Sequence, residues 1–464
     1  MGIASSLFYN SGDSEKQTLH KRIIPSNEQF DEQRERWNAL ADHLREDLKE
    51  KTGIAIKTWL QGSYKFGTQI RPVRRQEEFD IDLGLYYSWE GTPEDGPYEP
   101  NALKVITDDS LQEYENEDVI EVIKPPKTRC SRIRFKDNFH IDVPSYHINE
   151  EDDERTLATK NGWEVSDPKQ FYVWFQDLFS DEEREKVRRY IRYLKCWAAL
   201  KFKDADVRPS STLITIVVAE AVKETSIKKL SEDDALVLVL EKIVDRLEKN
   251  PEVSNPVNED EILTERLSPE TLLVIIKGLK EFRDSAKEAL ACESLIDAVD
   301  KWAKIFAHFF PLPDSNEIKK MSDAGDLLPV PVTIPDVSVR AISKDNPHCT
   351  WEDKNRIGPI PKNCSINFKI TNGSAFPFGV DVEWMVRNEG NEAENINDLG
   401  HRAGRGLNAE EHSAYRGTHF MDCIVKRNGH VIGLRRIPVQ ISDTLAPRRN
   451  PPKRRPFYRL PGKR

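Results

Sequence analysis

Two aspartates, Asp80 and Asp82, stand two residues apart in the otherwise apolar run FDIDLGLYY, and a Gly62-Ser63 pair precedes them. In a strand, alternate side chains share a face, so the two carboxylates project side by side about 7 Å apart along the backbone. Like charges so placed cost stability unless cations sit between them. A third carboxylate, Asp142 in FHIDVPSY, would complete a cage of hard oxygen ligands suited to Mg²⁺ or Mn²⁺. Two such ions can activate an attacking hydroxyl and stabilise a leaving pyrophosphate. Gly62-Ser63 at a helix start would offer backbone N–H groups, a hydroxyl and the positive dipole end to phosphates, with glycine allowing close approach. Taken singly, a DxD pair also suits an exposed edge or a calcium site, and a Gly-Ser pair says little. The ordered set is what points to nucleotidyl transfer: strand, Gly-Ser, helix, strand with DxD, strand with a third aspartate.

Positioning these groups requires particular elements. Residues 27–52 read as one amphipathic helix, with Asn27 to cap it, Gly53 to end it, and Trp37, Leu40, Leu44 and Leu48 on its buried face. IAIKTWLQ reads as a strand, and Gly62-Ser63 then opens a short helix. In FDIDLGLYY, Phe79, Ile81, Leu83 and Leu85 face the core while Asp80, Asp82 and Gly84 face away. RCSRIRF and FHIDVPSY flank KDN, a hairpin turn, with His140 and Asp142 on the acidic face. Between 160 and 325, runs such as EEREKVRRYIRYLKCWAALKF, STLITIVVAEAV and SLIDAVDKWAKIFAHFF are helical in pattern. FPLPDS at 310–315 ends the last. After Pro329, short strands and Asn-Gly turns such as those in FKITNG and KRNGHVIG favour hairpins and a separate β-sandwich over about 330–443. No internal repeat is present.

Composition sets the limits. The 464 residues suffice for two or three domains. No apolar run approaches the ~20 residues of a membrane span, and the start lacks a secretory signal. MGIASS fits the short acylation pattern through Gly2 and Ser6, a pattern common by chance. The six cysteines are scattered without a CxxC pair, against a zinc ribbon or disulfide scaffold and in keeping with reduced thiols in a cytoplasm. A net charge of −10 argues against constitutive duplex DNA binding. From Thr444 the tail TLAPRRNPPKRRPFYRLPGKR contains no acid and reads as disordered and basic.

The run QGSYKFGTQIRP…EFDIDLGLYY, followed by HIDVPSYHI and LATKNGWEVSDPKQFYVWF, resembles the bacterial cGAS/DncV-like nucleotidyltransferases, the CD-NTase family. YIRYLKCWAALKF, RPSSTLITIVVAEA and AVDKWAKIFAHFFP extend the resemblance over roughly residues 15–325. VEWMVRNEGNEAENINDLGHR and EEHSAYRGTHFMDCIVKRNGHVIG resemble the AGS-C sensor domain. The resemblance implies an α+β fold: a polymerase-β-like nucleotidyltransferase core (1–160), a helical second lobe (161–325), a small β-sandwich (330–443) and the tail (444–464). It implies that Asp80, Asp82 and Asp142 ligate two Mg²⁺ ions, with Mn²⁺ an alternative and Asp142 nearest the attacking hydroxyl. It implies that Gln61 and Ser63, beside Gly62, hold a triphosphate. Lys195 in RYLKCW matches the family's phosphate-contacting lysine, and Ser210 or Ser211 the serine that follows it. Tyr64 and Trp163 read as packing, His140 as a strand residue rather than a ligand, and Ser166–Pro168 as a helix cap with proline at N1.

The expected activity is synthesis of a cyclic di- or trinucleotide from ATP, GTP or pyrimidine triphosphates with release of pyrophosphate, in cytoplasmic antiphage (CBASS) signalling. The product would act on a downstream effector, and an activator could act on the C-terminal domain. No membrane partner is expected. Two other readings are a template-independent RNA or tRNA nucleotidyltransferase and a non-catalytic nucleotide sensor. The acidic balance weighs against the first and the intact aspartates against the second.

Overall fold

The computed structural model describes residues 2–12, 17–75, 77–151, 153–313 and 333–443. The basic tail lies outside the described residues. The chain divides into two compact units, Met1–Cys292 with Lys301–Pro311, and Glu293–Asp300 with Leu312–Arg464.

The first unit opens with two short helices, α1 (Ser5–Phe8) and α2 (Leu19–Ile23), and the long α3 (Asn27–Thr52). Ser26, not Asn27, caps α3. Its hydroxyl accepts from the Gln29 N–H at 3.1 Å and the Gln29 side chain accepts from the Ser26 N–H at 2.9 Å, a reciprocal capping box. Gly53 ends the helix in the left-handed region, as expected. Gly2, which acylation would require, has its backbone N–H bonded to Ser231 and Asp234. Phe8 of α1 is buried against Tyr193, Trp302 and Phe310.

There follow β1 (Ala55–Gln61), α4 (Gly62–Phe66), β2 (Phe79–Ser88), α5 (Pro100–Glu113), β3 (Val119–Val122), β4 (Ser131–Phe135), β5 (Phe139–Val143), β6 (Ser145–Asn149), β7 (Glu154–Thr159) and β8 (Gly162–Val165). All eight strands form one sheet in which β2 is central. β1 pairs antiparallel to it. β5 and β6 pair parallel to it with one constant offset, Phe79 opposite Phe139 and Leu85 opposite Ser145. They therefore act as one strand interrupted at Pro144, whose carbonyl accepts from the Leu85 N–H at 2.9 Å. Asp137 and Asn138 turn the β4–β5 hairpin with positive φ, a conformation these residues tolerate. On one face of the sheet, Ile81, Leu83, Ile133 and Ile141 pack with Leu40 and Leu44 of α3 and Leu103 of α5 in a single core. The acidic residues alternate onto the other face.

The helical part comprises α6 (Pro168–Asp177), α7 (Asp181–Lys201), α8 (Ser211–Lys223), α9 (Glu232–Lys249), α10 (Pro269–Leu290) and α11 (Leu295–Phe306), the division between units falling within α11. Asp167 caps α6 and Pro168 occupies N1, as SDP implied. Between α9 and α10 the sequence reading missed a small hairpin, β9 (Ser254–Asn255) and β10 (Asn258–Ile262). Its NPVNEDEI composition lacks the apolar alternation that marks a strand.

The second unit holds β11 (Val337–Ser343), β12 (Thr350–Lys354), β13 (Ile357–Ile360), β14 (Cys364–Ile370), β15 (Asp381–Arg387), β16 (Gly400–Arg405), β17 (Asn408–His412), β18 (Gly417–Arg427) and β19 (His430–Ile441). They form two sheets, β12-β11-β14-β17 and β13-β19-β18-β15-β16. Val339, Phe368, Trp384, Cys423 and Ile437 from both sheets meet in one core, a β-sandwich. Asn428-Gly429 turns the β18–β19 hairpin as expected. Asn372-Gly373 does not close a hairpin: the Asn372 side chain instead bonds the Asp336 N–H and the Ile334 carbonyl. Asp422 is fully buried and ionised between Arg387 and Arg436; although burial opposes it, the two guanidinium groups lower its pKa. Among the described residues no disulfide joins any of the six cysteines. Among the described residues no helix is long and apolar enough to cross a membrane.

Leu83 is 1% exposed in the core directly beneath Asp82. Leu83→Ala is expected to destabilise the first unit by about 2–5 kcal/mol, the range for an unfilled core cavity. Urea denaturation followed by tryptophan fluorescence measures this, and an unchanged midpoint would contradict the packing described.

Candidate active site

The sheet register brings the three carboxylates together. Asp80 lies opposite His140, and Asp82 opposite Asp142, on adjacent parallel strands. Directly paired residues point to the same side, so Asp142 shares a face with Asp80 and Asp82. One ligand atom each from Asp80, His140 and Asp142 fall within 4.8 Å of one another. The same-face placement of all three aspartates, expected from alternation, is therefore present, and His140 joins them.

Gly62 stands where β1 meets α4. Its φ is +57°, and a Cβ there would lie 1.9 Å from Asp82 Oδ2. Only glycine provides both the left-handed turn and room for the carboxylate. Gln61, paired in register with Asp82, is buried. Its amide is engaged at both ends: Nε2 donates to Tyr86 at 2.8 Å and Oε1 accepts from Tyr146 at 3.2 Å. The two tyrosine rings stack 5.0 Å apart. Gly84 leaves space for this clamp, since a Cβ there would lie 2.0 Å from Gln61 Nε2. The Gln61 side chain thus fixes the end of β1, an arrangement distinct from the direct phosphate contact expected of it.

Each acid has its own electrostatic setting. Asp142 is gripped by Arg132 of β4, its neighbour in register, through Nε on Oδ1 and Nη2 on Oδ2 at 2.7 Å. Lys127 Nζ stands 3.5 Å from Oδ2. Burial works to raise the Asp142 pKa, yet Arg132 and then Lys127 hold it below the usual carboxylate value. Among the described residues Asp82 has no such partner. Burial, then the charges of Asp80 and Asp142, push it well above the usual value. Asp80 remains half exposed, with Oδ1 2.9 Å from His140 Nε2. His140 Nδ1 is 2.8 Å from Glu78 Oε2, and Arg134 bonds the other Glu78 oxygen. Arg132, Arg134 and His140 were missed as site residues. Their signal was the basic alternation in RCSRIRF, which pairs Arg132 with Asp142 and Arg134 with His140.

Lys195 reaches the site from α7. It is 9% exposed rather than solvated, and Nζ donates to the Thr68 carbonyl at 3.0 Å. Burial and the nearby Arg192 lower its pKa to about 8 against the opposing pull of Asp80 and Asp82, leaving it mostly charged at neutral pH. Ser210 caps α8, its hydroxyl accepting from the Leu213 N–H at 3.1 Å. Ser211 instead lines two adjoining cavities. The larger, about 740 Å³, is bounded by Ser63, Asp80, Arg132, His140, Lys195 and Ser211. The smaller, about 310 Å³, is bounded by Gly62, Ser63, Asp82, Arg129, Arg266 and Ser211. Ser63 and Ser211 are common to both.

The donor set fits divalent cations. Oxygen ligands converge, Asp82 gains from a neighbouring positive charge, and Gly62 keeps space beside it. A pKa raised in the fold means that the native state retains a proton the unfolded chain has lost, so stability falls as pH rises above the usual carboxylate value. In EDTA, Asp82→Asn is therefore expected to melt above the wild type at about pH 8, with the gap narrowing as pH falls and closing below about pH 3, where both states are protonated. Thermal melts across that range measure it, and a gap independent of pH would assign the effect to something other than the carboxylate.

Comparison with known proteins agrees with this geometry. Residues 56–146 match the family model for the DncV-like cyclic GMP-AMP synthase nucleotidyltransferase domain, and residues 318–442 match the adenylyl/guanylyl and SMODS C-terminal sensor domain. A cyclic GMP-AMP synthase of Escherichia albertii is 29% identical over 451 residues, covering 96% of this chain and 98% of that protein. A c-di-GMP synthase of Roseivirga ehrenbergii is 24% identical over 257 residues, 49% of this chain and 66% of its own length. In fold, the Vibrio cholerae di-nucleotide cyclase DncV in complex with GTP aligns with a TM-score of 0.56 at 18% identity, over 66% of this chain and 96% of that one. The same enzyme with a linear intermediate gives 0.56 at 17%, over 67% and 97%. With its paired aspartates, glycine turn and β-rich second unit, the chain carries a DncV-like nucleotidyltransferase domain over residues 56–146 and an AGS-C sensor domain over residues 318–442, and is similar over nearly its whole length to a cyclic GMP-AMP synthase.

Proposed function

We propose that this nucleotidyltransferase makes a cyclic di- or trinucleotide from ATP- and GTP-type triphosphates, releasing pyrophosphate at each bond formed. The observation that carries the reading is the set of three carboxylates on adjacent strands beside the glycine turn at Gly62. Asp80, Asp82 and Asp142 would hold the divalent ions, Mg²⁺ first and Mn²⁺ as an alternative. When bound, such ions supply charge neutralisation and Lewis acidity at the α-phosphate. The turn at Gly62 and the Ser63 hydroxyl orient the triphosphate of one nucleotide. Lys195 and Ser211 face the same region from the helical side, adding positive charge and a hydrogen bond. Asp142, kept ionised by Arg132, stands ready beside the ribose hydroxyl of the second nucleotide. The residues act by positioning and by field rather than by covalent attachment. Two cavities meeting at one rim suit two nucleotides, and a linear intermediate that turns round within them presents its free hydroxyl for ring closure.

The expected division of labour is a core at 1–160, a helical lobe at 161–325 and a sensor at 330–443 that receives an activating signal. The relatives' cyclic-dinucleotide synthase activities support a second-messenger product; a cytoplasmic role in antiphage defence, the product acting on a separate effector, rests on the family resemblance alone. Incubating the full chain with all four triphosphates and MgCl₂, then analysing products by mass spectrometry, tests this. A phosphatase-resistant product without free ends supports it; extended RNA, or bound nucleotide without pyrophosphate release, overturns it. Asp80→Asn combined with Asp82→Asn is expected to lower product at least ~10³-fold with the fold intact by circular dichroism. Gly62→Ala, which forces a methyl group onto Asp82, is expected to lower turnover by about 10²-fold or more. Wild-type rates from either variant would remove the site from the mechanism.

A further inference from the structure

His140 carries a feature that the carboxylate cage does not explain. It is 7% exposed, and its Nδ1 lies 2.8 Å from Glu78 Oε2. A carboxylate only accepts, so Nδ1 donates to Glu78, and in the neutral imidazole the ring's lone pair is then at Nε2. Nε2 in turn lies 2.9 Å from Asp80 Oδ1, where a proton on that nitrogen or a cation shared with Asp80 would satisfy the contact, and one ligand atom each from Asp80, His140 and Asp142 lie within 4.8 Å of one another. Glu78 is fixed in turn by Arg134, which bonds its Oε1 through Nε at 2.8 Å. Carboxylate, imidazole N–H, then a free ring nitrogen aimed at acidic oxygens is the arrangement by which proteins orient a metal-binding histidine. The spacing agrees: neighbouring ligands about 2.1 Å from an octahedral ion lie about 3.0 Å apart.

We propose that His140 Nε2 is a direct ligand of the divalent ion held by Asp80 and Asp142, making that centre a mixed nitrogen–oxygen site. This rests on the metal-site reading above and deepens it. Imidazole is a poor donor for Mg²⁺, which demands hard oxygens, and a better one for first-row transition ions. The site therefore favours Mn²⁺ over Mg²⁺ more than three carboxylates alone would, and Glu78 acts as the positioning residue for the ring.

The test is pulsed EPR on the full chain labelled with ¹⁵N-histidine and loaded with MnCl₂, alone and with a methylene-bridged triphosphate analogue. A ¹⁵N hyperfine coupling is expected in the wild type and absent in H140Q. Mn²⁺ affinity, read by EPR titration, should fall about 10-fold or more in H140Q, while Mg²⁺ affinity, read by competition, should change less than about threefold. The wild-type spectrum decides the matter even if H140Q fails to fold. Bound Mn²⁺ without ¹⁵N coupling would overturn the role of His140 and leave the carboxylate site standing. No bound Mn²⁺ under either condition would overturn the metal centre itself.

Discussion

The structure is organised around a repulsion. Two unit charges about 4 Å apart at an effective dielectric of about 20 oppose each other by about 4 kcal/mol, and here Asp80, Asp82 and Asp142 share one face. Nothing local in the chain would gather them. They are gathered because β2 and β5 pair in parallel, and because Ile81, Leu83, Ile141 and Val143 on the reverse of the same strands are buried in one core. Apolar burial on one face thus supplies the free energy that holds like charges together on the other. Arg132 and Lys195 offset part of the cost, each from a different element.

Much of this was legible in the sequence because strand alternation is a local property. FDIDLGLYY assigned Asp80 and Asp82 to one face without any knowledge of partners, and HIDV did the same for Asp142. The long helix and the helical patterns between 160 and 325 were equally local. What escaped depends on contacts between distant segments. The family resemblance made Gln61 a phosphate contact, yet Tyr86 and Tyr146 occupy its amide, a fact set by the pairing of β1, β2 and β6. The choice between Ser210 and Ser211 turned on which one capped α8, a difference of one residue in the helix start. Asn372-Gly373 carried a hairpin signature, but its side chain is spent on the backbone of residues 334–336.

The histidine was overlooked for a chemical reason. With three aspartates in view, the oxygen ligands sufficed, and an imidazole on a strand is more often a packing residue. Only the three-dimensional position of Glu78, on the residue pair just before β2, reveals that one ring nitrogen is held by a carboxylate while the other is turned to the acidic face. The basic residues of β4 were hidden similarly. RCSRIRF is unremarkable until it lies across from HIDV, where each arginine meets an acid or the histidine.

The shared rim has a practical corollary for inhibitor chemistry. Ser63 and Ser211 border both cavities, so the two lie side by side with these two residues in common. A compound tethering two nucleotide-like heads across that rim would make its second attachment intramolecular, at a high effective concentration set by the tether. Such bivalent ligands should gain affinity sharply when the bridge matches the span and lose it when shortened, offering a molecular ruler for this pocket.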